Sequence, residues 1–125
     1  MLKYLLILSC LFIPLTSKSS DYAYYGFEPD IVTNYVAMKK TMGFVRLTVE
    51  LMVPSESIEI VEHHSPLLRD AIIDIIGKQS EEKVKSIKGR SEIQLKCEEQ
   101  VKALLTKETG QPIIKKLLFT QWLDN

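Results

Sequence analysis

Residues 43–53 read Gly-Phe-Val-Arg-Leu-Thr-Val-Glu-Leu-Met-Val, and no other stretch of the chain limits its fold so tightly. Val45, Leu47, Val49, Leu51 and Val53 alternate with Arg46, Thr48, Glu50 and Met52. Successive side chains of a strand leave on opposite faces, so this alternation gives one face to a core and the other to solvent or a partner. Pro54 ends the run, because it has no backbone N–H to give to a ladder. A strand with one aliphatic face needs something packed on that face, and the rest of the chain must provide it.

The segments that follow read as helices. In residues 55–77, Ser55 is expected to cap the first helix, with Glu56 in the first turn, where the helix dipole favours an acid. Ile58, Ile60 and Val61 form its apolar side. Pro66 disfavours helical geometry at Ser65, so a second helix is expected to start there, with Pro66 in its first turn. Leu67, Leu68, Ala71, Ile72, Ile75 and Ile76 recur at helical spacing, and Gly77 is a natural stop. In residues 80–106, Ser80 caps, Glu81 and Glu82 occupy the first turn, and Gly89 is expected to separate a short helix from a longer one. In the longer helix, Ile93, Cys97, Val101, Leu104 and Leu105 make a buried stripe. Gly110 and Pro112 close it.

Two further segments read as extended. Residues 21–36 hold Tyr22, Tyr24, Tyr25 and Phe27, punctuated by Gly26 and Pro29, and then Ile31-Val32-Thr33, which has strand propensity. Proline restricts this segment to an edge. Its aromatics either cover the edge of the core or form a binding surface. Residues 113–123 are apolar on both faces, which suits a strand packed on helices on one side and contacting another surface on the other. The order strand, strand, helices, strand implies an α+β fold: a small antiparallel or mixed sheet with helices on one face.

The N-terminus speaks to compartment. Lys3 precedes an apolar run from Tyr4 to Leu15, followed by the small, polar Thr16-Ser17-Lys18-Ser19-Ser20. That is the layout of a secretory signal peptide, with cleavage expected between Ser19 and Ser20. The expected division is residues 1–19 as signal and 20–125 as one exported domain. An uncleaved short anchor is the alternative, as is a lipoprotein-type cut at Ile7-Leu8-Ser9-Cys10. The whole chain balances 16 basic against 16 acidic residues, and removal of Lys3 and Lys18 leaves the domain slightly acidic. Nucleic-acid binders carry a basic face, so that class is excluded. Loss of Cys10 with the signal leaves Cys97 alone. It is either a small buried apolar residue or a thiol that links two copies or reacts.

Reactive constellations are missing from the sequence. His63 and His64 are adjacent, and neighbours on a helix point about 100° apart, so they cannot ligate a metal from one face. No Cys/His spacing supports zinc, so no metal and no cofactor is expected. Arg69-Asp70 is read as a salt bridge fixing the bend, with a binding pair as the alternative. No nucleophile elbow or phosphate loop occurs, and an enzyme is not expected.

Three blocks, in order, resemble the flagellar basal-body-associated FliL family. They are Ile31-Val32-Thr33-Asn34-Tyr35; His64-Ser65-Pro66-Leu67-Leu68-Arg69-Asp70-Ala71-Ile72-Ile73 with Ile75-Ile76 and Gly89; and Leu117-Leu118-Phe119-Thr120-Gln121-Trp122. The resemblance spans roughly residues 24–123. It departs at Val101-Lys102, where the family has an isoleucine-asparagine pair, and at Trp122, where phenylalanine is common. It departs also in the short signal-like start, where the family has a full membrane span. The resemblance implies a stomatin-type periplasmic domain held near the inner membrane, one that self-associates and contacts flagellar stator or basal-body proteins without catalysis. The candidate interface residues are Phe119, Gln121, Trp122, Tyr24 and Tyr25. The competing reading is a secreted small-ligand or lipid-binding domain using the Tyr22–Phe27 cluster.

Overall fold

The computed structural model describes residues 21–38 and 42–125. The readings placed on residues 1–20, including the signal segment and Cys10, lie outside the described residues. Strand β3 (Gly43–Pro54) is the spine of the fold, and its alternation is observed: Val45, Leu47, Val49, Leu51 and Val53 are all fully buried. Fully burying a Val or Leu side chain is worth roughly 1.5–3 kcal/mol, so this face is a principal source of stability.

Three strands pair with β3, all antiparallel. They are β1 (Tyr22–Gly26), β2 (Ile31–Tyr35) and β4 (Lys116–Asp124). β4 runs beside β3 from Val45 to Met52 and overlaps the stretches paired with β2 and with β1. A strand has only two edges, so β1 and β2 lie end to end on the other side. The segment Phe27–Asp30 between them bulges over Thr48 and Val49, and Phe27 N–H still donates to Val49 O at 3.1 Å.

After β3 a 3-10 turn (Ser55–Ser57) leads into α1 (Ile58–His63) and α2 (Ser65–Gly77). Then come α3 (Glu81–Lys85) and α4 (Ile87–Thr109). α2 packs against β2 and α4, and α4 packs against β4, so the helical layer covers the aliphatic face of β3. Leu68, Ile72 and Ile76 come from α2, and Ile93, Cys97, Val101 and Leu105 from α4; all seven are buried in that core. Gly110, at φ 75°, ends α4 in the left-handed conformation that glycine adopts without a Cβ clash. The opposite sheet face carries no helix among the described residues and presents Tyr24, Val32, Phe44 and Leu123 to solvent.

Four expectations need correction. Ser55 does not cap α1; its hydroxyl donates instead to Asp21 O at 3.0 Å, tying the start of β1 to the end of β3. The helix break lies at Ser86, not at Gly89. Ser86 Oγ accepts from Gly89 N–H at 3.0 Å and caps α4. Gly89 sits inside the first turn because any Cβ there would strike the Lys83 backbone. Arg69 and Asp70 form no ion pair with each other. Arg69 reaches across to Pro29 O at 2.6 Å and lies over the Phe27 ring, pinning the bulge, while Asp70 is exposed. The last strand starts at Lys116, so Ile113 and Ile114 are buried ahead of it as coil.

Candidate functional site

β4 does not keep a regular alternation. Gln121 pairs with Thr48 and Phe119 with Val49, which leaves Thr120 as an extra residue, a β-bulge. The bulge changes the parity of the strand. Leu117, Phe119 and Trp122, opposite Leu51, Val49 and Leu47, then all lie on the helix-covered face. Without the bulge, Phe119 and Trp122 would point to opposite sides. With it, their rings sit 5.3 Å apart between centroids, tilted by 42°.

Helix α4 closes over this aromatic pair. Arg90 Nη2 meets Asp124 Oδ1 at 3.1 Å, its Nε donates to Val84 O at 3.0 Å, and its guanidinium carbon lies 5.7 Å from the Trp122 ring centroid. One side chain thus ties α3, α4 and β4 together, and the planar guanidinium suits both the carboxylate and the stacked ring. Further along, Gln94 Nε2 donates to Leu117 O at 3.2 Å and Leu117 N–H donates to Glu98 Oε1 at 2.9 Å. Side chains of α4 therefore satisfy the outer backbone groups of β4 at Leu117 and block strand addition there. A cavity of about 190 Å³ opens between Ile87, Arg90, Ser91, Gln94, Phe119 and Trp122. The buried Trp122 Nε1–H has no hydrogen-bond acceptor among the described residues.

The five candidate residues do not form one site. Phe119 and Trp122 meet at the α4–β4 corner. Gln121 lies on the open sheet face, where its Oε1 accepts from Thr48 Oγ1 at 3.4 Å. Tyr24 is on that same open face, opposite Met52, four residues along β3 from Thr48. Tyr25 turns to the helical side and packs edge-on against Phe27, with centroids 5.3 Å apart. The sequence reading missed Arg90, Gln94, Ile87 and Asp124. Their signal was weak, since Arg90 meets partners more than thirty residues away. The open face has its own polar centre: Asp30 holds Arg46 at 3.0 Å and accepts from Thr48 Oγ1 at 3.1 Å.

Five clefts on the described surface are lined from α2, α3, α4, β4 and the segments joining them; Tyr22, Tyr24, Tyr25 and Phe27 line none of them. Burial pushes the Cys97 thiol up to about 12, only partly opposed by Lys96, and keeps it in the weakly nucleophilic neutral form. His63 is exposed and His64 Nδ1 lies 2.8 Å from Ile60 O, at the corner between α1 and α2. No group of three His, Cys, Asp or Glu residues able to hold a metal occurs among the described residues. No helix among them is long and apolar enough to cross a membrane.

These features define a small α+β domain whose conspicuous surfaces are an aromatic corner and an uncovered sheet face. The family model of the flagellar basal body-associated protein FliL matches residues 24–123, and the chain belongs to that family. A curated relative, the flagellar protein FliL of Aquifex aeolicus (strain VF5), is 24% identical over 100 residues, covering 79% of this chain. The chain spans 59% of that relative's length.

Proposed function

We propose that this protein is a non-enzymatic flagellar accessory: an exported domain of residues 20–125 that self-associates and contacts the motor stator to support motility. Its place is the periplasm, against the inner membrane at the basal body. Residues 1–19 serve as a signal peptide or, uncut, as a short anchor. The observation that carries this reading is family membership over nearly the whole described domain. The stomatin-type architecture implied by the sequence resemblance fits the same role, because such domains act by assembly rather than by turnover.

The chemistry agrees with an interaction role. The buried thiol of Cys97 is a poor nucleophile. Apolar side chains stand exposed on the open sheet face and on α4, where contact with another surface would cover them. Deletion of the gene followed by measurement of swimming speed in viscous medium tests the proposal. Reduced speed under load, restored by the wild-type gene, is the expected result; unchanged speed at every load refutes it.

A further inference from the structure

The turn between α2 and α3 holds a polar side chain that the fold leaves half paired. Gln79 is only 7% exposed. Its backbone is fixed on both sides: its N–H donates to Ile76 O at 3.0 Å, and its carbonyl accepts from Val36 N–H at 2.9 Å. Its side chain is fixed as well, because Nε2 donates to Ile75 O at 2.9 Å. A carbonyl oxygen only accepts, so this bond sets which end of the amide is which. Oε1 is thereby held as an acceptor, with no donor among the described residues. Among those residues Trp122 Nε1 is the one sealed side-chain polar atom without a partner, so Gln79 Oε1 is reachable from solvent.

Gln79 lines an open cleft of about 430 Å³ with Asp74, Ile75, Lys78, Lys83 and Lys96. Three lysines against one carboxylate make the cleft cationic. Asp74 is held by Lys78 at 3.0 Å. Lys83 has only a loose contact with Glu92, at 3.9 Å, and Lys96 has no ion pair among the described residues. We propose that this cleft binds an acidic peptide segment of a partner protein. Lys83 and Lys96 take an aspartate or glutamate carboxylate, and Gln79 Oε1 takes a backbone N–H of the same segment. The inference rests on the reading that this domain works by contact with another protein, and gives that contact a place and a chemistry.

The donor set selects the ligand. Two ammonium groups without close carboxylates favour an anion, and charge-assisted hydrogen bonds to it are the strong ones. A fixed carbonyl acceptor needs an N–H beside that anion, which phosphate and sulfate do not have. An acidic peptide carries a carboxylate and a backbone N–H within a few bonds of each other, and Ile75 offers an apolar wall to its methylene stem. The volume falls within the range of sites for small ligands, roughly 300–1,000 Å³. A short segment suits it, not a whole domain. Because Gln79 is already held by Ile75, Ile76 and Val36, binding has less of the site to order. Ser80 stands outside the site, since its Oγ already accepts from Lys83 N–H at 3.4 Å.

The test is fluorescence anisotropy of a fluorescein-labelled peptide of alternating glycine and glutamate, titrated with the purified full chain. Saturable binding is expected, and none for the same peptide with glutamine in place of glutamate. Lys96→Glu should weaken binding by about tenfold or more. Lys107→Glu makes the same charge change at an exposed position of α4 outside the cleft, and should alter binding by less than about twofold. Unlabelled peptide should displace the probe at concentrations where inorganic phosphate does not. Absence of saturable binding overturns the proposal, as does an equal loss in Lys96→Glu and Lys107→Glu. Displacement by phosphate as readily as by peptide overturns it too, because the cleft would then be a plain anion site. If the peptide fails to bind while deletion of the gene still lowers swimming speed under load, this cleft is wrong and the flagellar reading stands. If it binds while deletion leaves speed unchanged, the cleft stands and the flagellar reading falls.

Discussion

The inner and outer stripes of α4 share one helix and one four-residue repeat, yet they are held to different rules. On the inner side Gly89, Ile93, Cys97, Val101 and Leu105 are buried against α3, α2 and the sheet. There each side chain is fitted by volume, and Gly89 by the absence of one. On the outer side Ile87, Ser91 and Leu95 are exposed, and Ile87 and Ser91 wall the cleft beside Phe119 and Trp122. The same spacing thus builds the fold on one side and leaves exposed side chains on the other. Substitutions on the inner side should be read in stability, and those on the outer side should leave it nearly unchanged.

The largest expected effect breaks the inner stripe. Ile93→Ala should cost about 2–5 kcal/mol through lost contacts and the cavity left behind. At about 4–8 °C per kcal/mol for a domain of this size, thermal unfolding followed by circular dichroism will resolve it. Gly89→Val should cost about 1–3 kcal/mol, because its side chain would press on the Lys83 backbone and push α3 away from α4.

Cys97 gives a pH test of the same face. Its folded pKa is raised from 9.0 to about 12, so the native state keeps a proton that the unfolded chain gives up. The stability this contributes is fully present below pH 9.0 and is lost as pH rises from there towards about 12. Alkaline unfolding should therefore penalise wild type more than Cys97→Ala above pH 9.0. At neutral pH a thiol reagent should label Cys97 only when the chain is unfolded.

The smallest expected effects sharpen the contrast. Trp122→Phe keeps a ring against Phe119 and removes an N–H that has no acceptor among the described residues, so its cost should be offset and fall within about 1 kcal/mol. Leu95→Ser should change melting by no more than about 0.5 kcal/mol, as for other surface positions. A large stability loss at Leu95 would show that the outer stripe belongs to the fold after all.

How far the sequence disclosed this follows from what each element rests on. β3 was legible because a strand covered on one face must alternate, and Val45 through Val53 do so without interruption. The α4 core stripe was legible for the same reason at helical period. β4 misled because a single extra residue, Thr120, reverses parity, and no local signal marks it. The break between α3 and α4 was misplaced because glycine was read as a helix breaker when it serves close packing, with the cap one turn earlier at Ser86. Arg69 and Arg90 were opaque for a different reason. Each acts on groups far along the chain, Pro29 for one and Asp124 and Trp122 for the other, and only the fold brings them together. The candidate interface was half assembled: Phe119 and Trp122 meet, while Gln121, Tyr24 and Tyr25 are distributed over both faces of the sheet.

The proposed role of this domain is to act at the flagellar motor through its stator. The most direct measurement is fluorescence localisation of the tagged full chain in cells with and without stator proteins. Discrete foci at basal bodies that disperse when the stator is removed are the predicted result. A uniform signal in both strains would contradict it.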